Sequence, residues 1–110
     1  MQIHVRVRGL AASSDLHRHA VGRVEQELRR VAHEITHVVV RITDLNGPKG
    51  GLDKRCSIVV QGPRVRALSI GQLSADAFAA VHLAAERLAR ALRREIRKTA
   101  SIQQRALART

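Results

Sequence analysis

At 110 residues the chain can build one domain around one core, and is too short for two. Twenty Lys and Arg against nine Asp and Glu give a net charge of +11 with histidines neutral. The excess is spread, with 12 basic to 6 acidic residues in 1–74 and 8 to 3 in 75–110, so no detachable basic tail carries it and the folded surface is itself cationic. That directs attention to nucleic acid first, an anionic membrane second and an acidic protein third. Cys56 is the sole cysteine, which excludes a disulfide and a cysteine-based metal cluster. No apolar run approaches the roughly 18 residues of a membrane span, and the first residues read as a strand instead of a signal sequence, so a soluble, cytoplasmic protein is expected. Phe78 is the sole aromatic residue, which argues against a single-strand binder that stacks bases on aromatic platforms. Arg outnumbers Lys 17 to 3, a choice suited to phosphate but one that genome base composition also produces.

Gln2 to Arg8 alternates, with Ile3, Val5 and Val7 on one face and His4, Arg6 and Arg8 on the other, the pattern of a half-buried strand. Ser13 or Ser14 then caps a helix predicted to reach about His33, with an apolar stripe of Leu16, Ala20, Val24, Leu28, Val31 and Ile35. Gly22 weakens this helix without ending it. His37 to Thr43 is β-branched and alternating, with Val38, Val40 and Ile42 inward. Asn46 to Gly51 is a glycine-rich loop with Lys49 at its tip. Lys54 to Gln61 is a third strand with Cys56, Ile58 and Val60 inward, and Gly62-Pro63 turns into a fourth from Arg64 to about Ile70. The facing of that strand is ambiguous, since either Val65 and Ala67 or Leu68 and Ile70 could point inward.

Asp76 is placed to cap a long second helix starting at Ala77 or Phe78. At 100° per residue Phe78, Val81, Ala85, Leu88, Leu92 and Ile96 share one narrow face, with Phe78 expected to be the largest core side chain. Arg87, Arg90, Arg94, Arg97 and Lys98 share the opposite face, with Arg93 at its flank. Past Asp76 the acids are Glu86 and Glu95, so these cations have few intrahelical partners and repel one another unless a polyanion neutralises them. From about Thr99 to Thr110 the clean stripe is lost, leaving a helix extension or a frayed tail behind a single domain over residues 1–98.

The order β-α-β-β-β-α, with one apolar sheet face and two amphipathic helices, predicts an α+β two-layer sandwich: a four-stranded sheet with both helices on one face. The other sheet face would show His4, Arg6, Arg8, Arg41 and Arg55 to solvent, with Arg64 and Arg66 as further candidates.

Residues 33–37 spell HExxH, a zinc protease signature that requires both histidines on one continuous helix. Here His37 leads straight into Val38-Val39-Val40, so the imidazoles should diverge, and no third ligand follows at a convincing spacing. His17 and His19, two apart on a helix, do not face each other. A core-facing Cys56 behaves as a small hydrophobe. The Gly50-Gly51 pair lacks the Lys-Ser/Thr of a phosphate loop. No nucleophile–base pair is present, and the chain reads as a non-enzyme with no cofactor, metal or small-molecule substrate.

The element order together with its residues resembles the ribosome hibernation family, comprising hibernation promoting factor and ribosome-associated inhibitor A. The opening MQI strand, the HEITHVVVRI junction and the set Ser74, Asp76, Phe78, Ala79, Val81, Leu88 and Arg90 carry the resemblance, which covers about residues 1–98. Phe78 stands where tyrosine is common and His82 where an acid is common. The resemblance implies a short-form translation inhibitor in the cleft of the small ribosomal subunit, held through rRNA. Its contacts would be Arg87, Arg90, Arg93, Arg94, Arg97 and Lys98 on the last helix. Lys54, Arg55, Arg6, Arg8, Arg64 and Arg66 would form a second surface. Two other readings compete: a general double-stranded-RNA binder, and a basic interaction module for an acidic protein. The first lacks the expected lysine cluster at the start of the second helix, and the second rests on charge alone.

Overall fold

The computed structural model describes residues 1–10, 14–45, 51–63 and 65–108, the Arg66 side chain excepted. The alternating segment Gln2–Arg8 is strand β1, followed by helix α1 (Ser14–Leu28) and a 3-10 segment (Arg29–Glu34). Strands β2 (His37–Asp44), β3 (Lys54–Gly62) and β4 (Val65–Ser74) come next, then helix α2 (Ala77–Ala108). The strands lie in chain order, β1 parallel to β2 and the later pairs antiparallel. A parallel first pair needs a crossover connection, and α1 supplies it.

Pairing register puts every second residue into one apolar layer. Val5, Val40, Ile58 and Ile70 form a continuous row across all four strands. Both helices close over this face. α2 lies on β3 and β4, and α1 packs beside it and against β1. Leu28, Ile42, Ile58, Leu88 and Leu92 are the largest side chains removed from solvent. The predicted two-layer sandwich with both helices on one face is the fold observed.

Four local differences have physical causes. The first helix ends as α-helix at Leu28 and tightens to 3-10 through Glu34, a common way to use the last carbonyls of a helix. Ile35, extended at φ −120° and ψ 130°, donates its N–H to the Ala32 carbonyl at 3.1 Å. β4 runs to Ser74, four residues past its expected end, because Gly71 and Gln72 continue the ladder opposite Ser57 and Cys56. Leu68 and Ile70 face the helices, and Ala67 faces solvent, while Val65 is buried beyond an irregularity between Val60 and Gly62. Phe78, expected to be the largest core residue, is instead 40% exposed. In the first turns of α2 the buried face is set by Ala77, Ala80, Val81 and Ala84. Phe78 lies about a quarter-turn off that face, where its ring meets His19 with centroids 5.1 Å apart.

Asp76 caps α2 as expected. Its Oδ2 accepts from the Ala79 N–H at 3.1 Å, and its carbonyl from the Ala80 N–H at 3.0 Å. With 32 residues the helix is about 48 Å long. The ten-residue β4 spans only about 33 Å, so the last turns project beyond the sheet. Residues 100–108 are all exposed there, and the helix continues through the stretch where the sequence left extension and fraying open.

Candidate nucleic-acid interface

The cationic stripe of α2 follows from its core. Because Val81, Ala85, Leu88 and Leu92 are inward, Arg87, Arg90, Arg94, Arg97 and Lys98 must face out, and all five are exposed, as is Arg93. Arg90, Arg93, Arg94 and Arg97 line one shallow depression. Among the described residues no carboxylate pairs with any of these six cations. Glu86 lies 3.1 Å from His82 Nε2, and Glu27 takes the Arg23 guanidinium at 2.7 Å. Arg87 differs from its neighbours. Its Nη1 donates to the Gly71 carbonyl at 2.6 Å and to Gln72 Oε1 at 2.9 Å, so it leans over the edge strand.

The 3-10 segment that follows α1 adds two cations that the sequence reading missed. Arg29 and Arg30 are exposed, and Arg30 lines a groove with Gln26, Glu27, Val31, Ala89 and Arg93. Their signal was an Arg-Arg pair at a helix end, legible only once α1 and α2 are known to lie side by side.

The open sheet face is a second cationic surface. His4, Arg6, Arg8, Arg41 and Arg55 are exposed there. Arg6 is the register partner of Arg41, and Thr43 stands between Arg8 and Arg55. Arg6, Arg8, Arg41 and Thr43 line a depression. The Arg55 guanidinium lies over Gly71, 3.5 Å from where a β-carbon would sit. Asp44, the one acid within the four strands, is on the opposite face, where it pairs with Lys54. Arg64 and the Arg66 side chain lie outside the described residues, as do loop residues 46–50.

Lys54 does not join this surface. It shares the helix-facing register of Cys56, and its ammonium sits 2.8 Å from Asp53 Oδ1 and 3.4 Å from Asp44 Oδ2. The hydrogen bond to Asp53, with Asp44 adding to it, raises the Lys54 pKa above 10.5. Its charge is therefore used inside the molecule, which corrects the expectation of a free surface cation.

His33 lies in the 3-10 segment and His37 opens β2, with the extended Ile35 between them, so the HExxH histidines sit on different elements. Burial pushes the Cys56 thiol up to about 12, which keeps it a neutral core group at physiological pH. The two arginine-rich surfaces can hold phosphates: each guanidinium offers a planar fork of donors, and among the described residues no carboxylate pairs with it.

A family model described as sigma 54 modulation protein / S30EA ribosomal protein matches residues 3–100. Comparison with curated protein sequences returns no match. Among solved structures the chain is similar to a ribosomal subunit interface protein from Coxiella burnetii, with TM-score 0.65 and 21% identity over 86% of this chain and 96% of that one. It is also similar to the N-terminal domain of Thermus thermophilus Protein Y, with TM-score 0.69 and 21% identity over 86% and 98%. At that identity these likenesses speak to the fold. No helix among the described residues is long and apolar enough to cross a membrane.

Proposed function

The chain belongs to the sigma 54 modulation protein / S30EA ribosomal protein family, and from that premise we propose that it is a ribosome-associated translation inhibitor, a hibernation factor that docks on the small subunit through rRNA phosphates. The observation that carries the phosphate contact is the set Arg90, Arg93, Arg94 and Arg97, four exposed arginines around one depression with no carboxylate partner among the described residues. In the free protein these like charges repel. A polyphosphate backbone relieves that repulsion, and each arginine it engages releases a condensed counterion. Positioning is all that is required, since backbone contacts fix orientation without reading sequence. Arg6, Arg8, Arg41 and Arg55 provide a second set on the opposite side of the sandwich. A body with cations on both faces suits a cleft walled by RNA better than a flat duplex. By filling such a cleft, a rigid two-layer domain excludes other RNA from it.

Sucrose-gradient sedimentation of a resting-cell lysate tests the reading. Co-migration with small subunits or whole ribosomes, lost on raising salt, is the expected result. Protein that stays in the free fractions at low salt overturns it and favours an acidic protein partner. Equal affinity for purified duplex RNA and for small subunits would favour a general double-stranded-RNA binder.

A further inference from the structure

Beside the arginine depression of α2 lies a second hollow of different character, about 250 Å³, lined by Val31, Arg93, Ile96 and Arg97. Val31 and Ile96 are half-buried and packed against the core, so its floor is apolar and held rigid from beneath. Arg93 and Arg97, one helical turn apart, are exposed and form its walls with their aliphatic stems, their charged ends reaching to solvent. Arg93 and Arg97 also line the arginine depression, and Arg93 lines the groove that holds Gln26 and Arg30. The three depressions are therefore contiguous.

We propose that the Val31–Ile96 hollow receives one unpaired nucleobase of the bound RNA, with the neighbouring phosphates on Arg90, Arg94 and Arg97. This deepens the rRNA reading above and rests on it.

Three observations favour a base over other occupants. At about 250 Å³ the hollow is below the roughly 300 Å³ at which pockets for drug-sized ligands begin, which suits one ring system. Its surroundings are cationic and no carboxylate pairs with Arg93 or Arg97 among the described residues, Glu27 of the adjoining groove being taken by Arg23, so an occupant attached to negative charge is favoured. Lastly, unstacked bases in RNA are taken up on flat guanidinium planes as well as on aromatic rings, and this chain, with Phe78 far up α2, has only arginine to offer here. The adjoining groove also carries a polar group suited to a base edge. Arg23 Nη1 donates to Gln26 Oε1 at 3.1 Å and Nη2 to Glu27 Oε1 at 2.7 Å, which occupies the Gln26 carbonyl and leaves its amide to donate. Phosphate contacts alone sense the path of the backbone and not the bases. The hollow adds a preference for a strand with an exposed base, the feature that single-stranded loops and bulges present and a duplex hides.

The test uses the full chain and short oligoribonucleotides: two single strands of equal length and charge, one with a central 2-aminopurine among abasic positions and one wholly abasic, and a shorter duplex with the same number of phosphates. The expected result is quenching of the 2-aminopurine and binding about five- to a hundredfold tighter than to the abasic strand, the range for one base on a side-chain platform. Arg93→Lys keeps the charge and removes the plane, so it should lose most of that discrimination while keeping the dependence on salt. Equal affinity for the abasic and base-bearing strands overturns the proposal, and so does discrimination that survives unchanged in Arg93→Lys. If small-subunit binding persists in either of those cases, the hollow alone is misassigned and is open to an apolar side chain of a ribosomal protein. If neither oligonucleotides nor subunits bind, the rRNA reading beneath it fails as well.

Discussion

Arg87 of α2 and Gly71 of β4 are joined by a 2.6 Å hydrogen bond from the guanidinium Nη1 to the glycine carbonyl, and the same nitrogen reaches Gln72 Oε1 at 2.9 Å. β4 is an edge strand, and Arg87 reaches one of its carbonyls from the helix above. One arginine of the cationic stripe is thus structural as well as electrostatic. Arg87→Gln should lower stability by about 0.5–1.5 kcal/mol, the net value of such a bond. Arg90→Gln and Arg94→Gln should stay within about 0.5 kcal/mol of the parent, because neither side chain has a partner among the described residues. Thermal melts of the three single variants separate the roles. Equal melts would mean that the bond to Gly71 contributes nothing.

Phe78 gives the second prediction. A buried Phe→Ala change costs about 3–5 kcal/mol, but Phe78 keeps 40% of its surface in water and its ring meets that of His19. Phe78→Ala should therefore cost only about 1–2 kcal/mol. Leu88, fully buried between helix and sheet, should cost about 2–5 kcal/mol on truncation to Ala. Urea unfolding of both variants checks the order, and a Phe78 penalty above that of Leu88 would contradict it.

Those two residues show where the sequence was legible. Period-2 alternation and the 3.6-residue stripe identified the four strands, both helices and the layer they share, because each depends on burial of one face. They could not place Phe78, since the buried face of α2 drifts along the twisted sheet and one wheel drawn for the whole helix averages over that drift. Strand length also escaped local reading. Gly71 and Gln72 have poor strand propensity and are held by pairing with Ser57 and Cys56. Of the candidate contacts, the α2 arginines were visible as a stripe. Lys54 looked like one more surface cation because Asp44 meets it only through strand pairing, and nothing local shows that the neighbouring Asp53 is buried.

Gly62 marks a close approach that no sequence pattern announces. A β-carbon there would lie 1.9 Å from the Glu34 carbonyl oxygen and 2.9 Å from its carbon, both backbone atoms. The end of β3 is pinned at this point, with the Thr36 N–H donating to the Gln61 carbonyl at 2.8 Å. Gly62→Ala should destabilise by about 3 kcal/mol or more, because a backbone segment has to move to admit the methyl group. An unchanged melting temperature would show that the 3-10 segment yields freely.

Alkaline pH should weaken the fold in two stages. Cys56 rises from an ordinary value of 9.0 to about 12 through burial, so the unfolded chain ionises first. The Cys56 contribution is then constant below about pH 9 and falls between there and about 12 as the unfolded state releases a proton that the folded state retains. Lys54 is also raised, by its hydrogen bond to Asp53 and its contact with Asp44. Its contribution is fully present below pH 10.5 and is lost as pH rises through the higher folded value. Cys56→Ala should remove the first stage and leave the second, while Lys54→Met should lower stability at neutral pH and flatten the second. Denaturation series at pH 7, 9.5 and 11 would show this, and a Cys56→Ala profile identical to the parent would assign the first stage elsewhere.

The two cationic surfaces make separable predictions about RNA. Arg90, Arg94 and Arg97 lie outside the apolar core, so changing all three to Gln should leave the fold intact. Each phosphate contact removed should lower the slope of log affinity against log salt by about 0.7–0.9, so the triple variant should lose about 2–3 units of slope. Affinity at low salt should fall far more than affinity at high salt, where the contacts are already screened. Arg6→Gln with Arg41→Gln removes a register pair from the open sheet face, where relief of like-charge repulsion should even steady β1 against β2. If the α2 face is the primary contact, this double variant should reduce the slope by at most its own two charges and keep co-sedimentation with small subunits. The triple variant should lose it and relieve inhibition in a purified translation system. A folded triple variant that still sediments with subunits at the parent's salt dependence would shift the interface to the open sheet face. The Arg6 and Arg41 pair would then be the contact to map next.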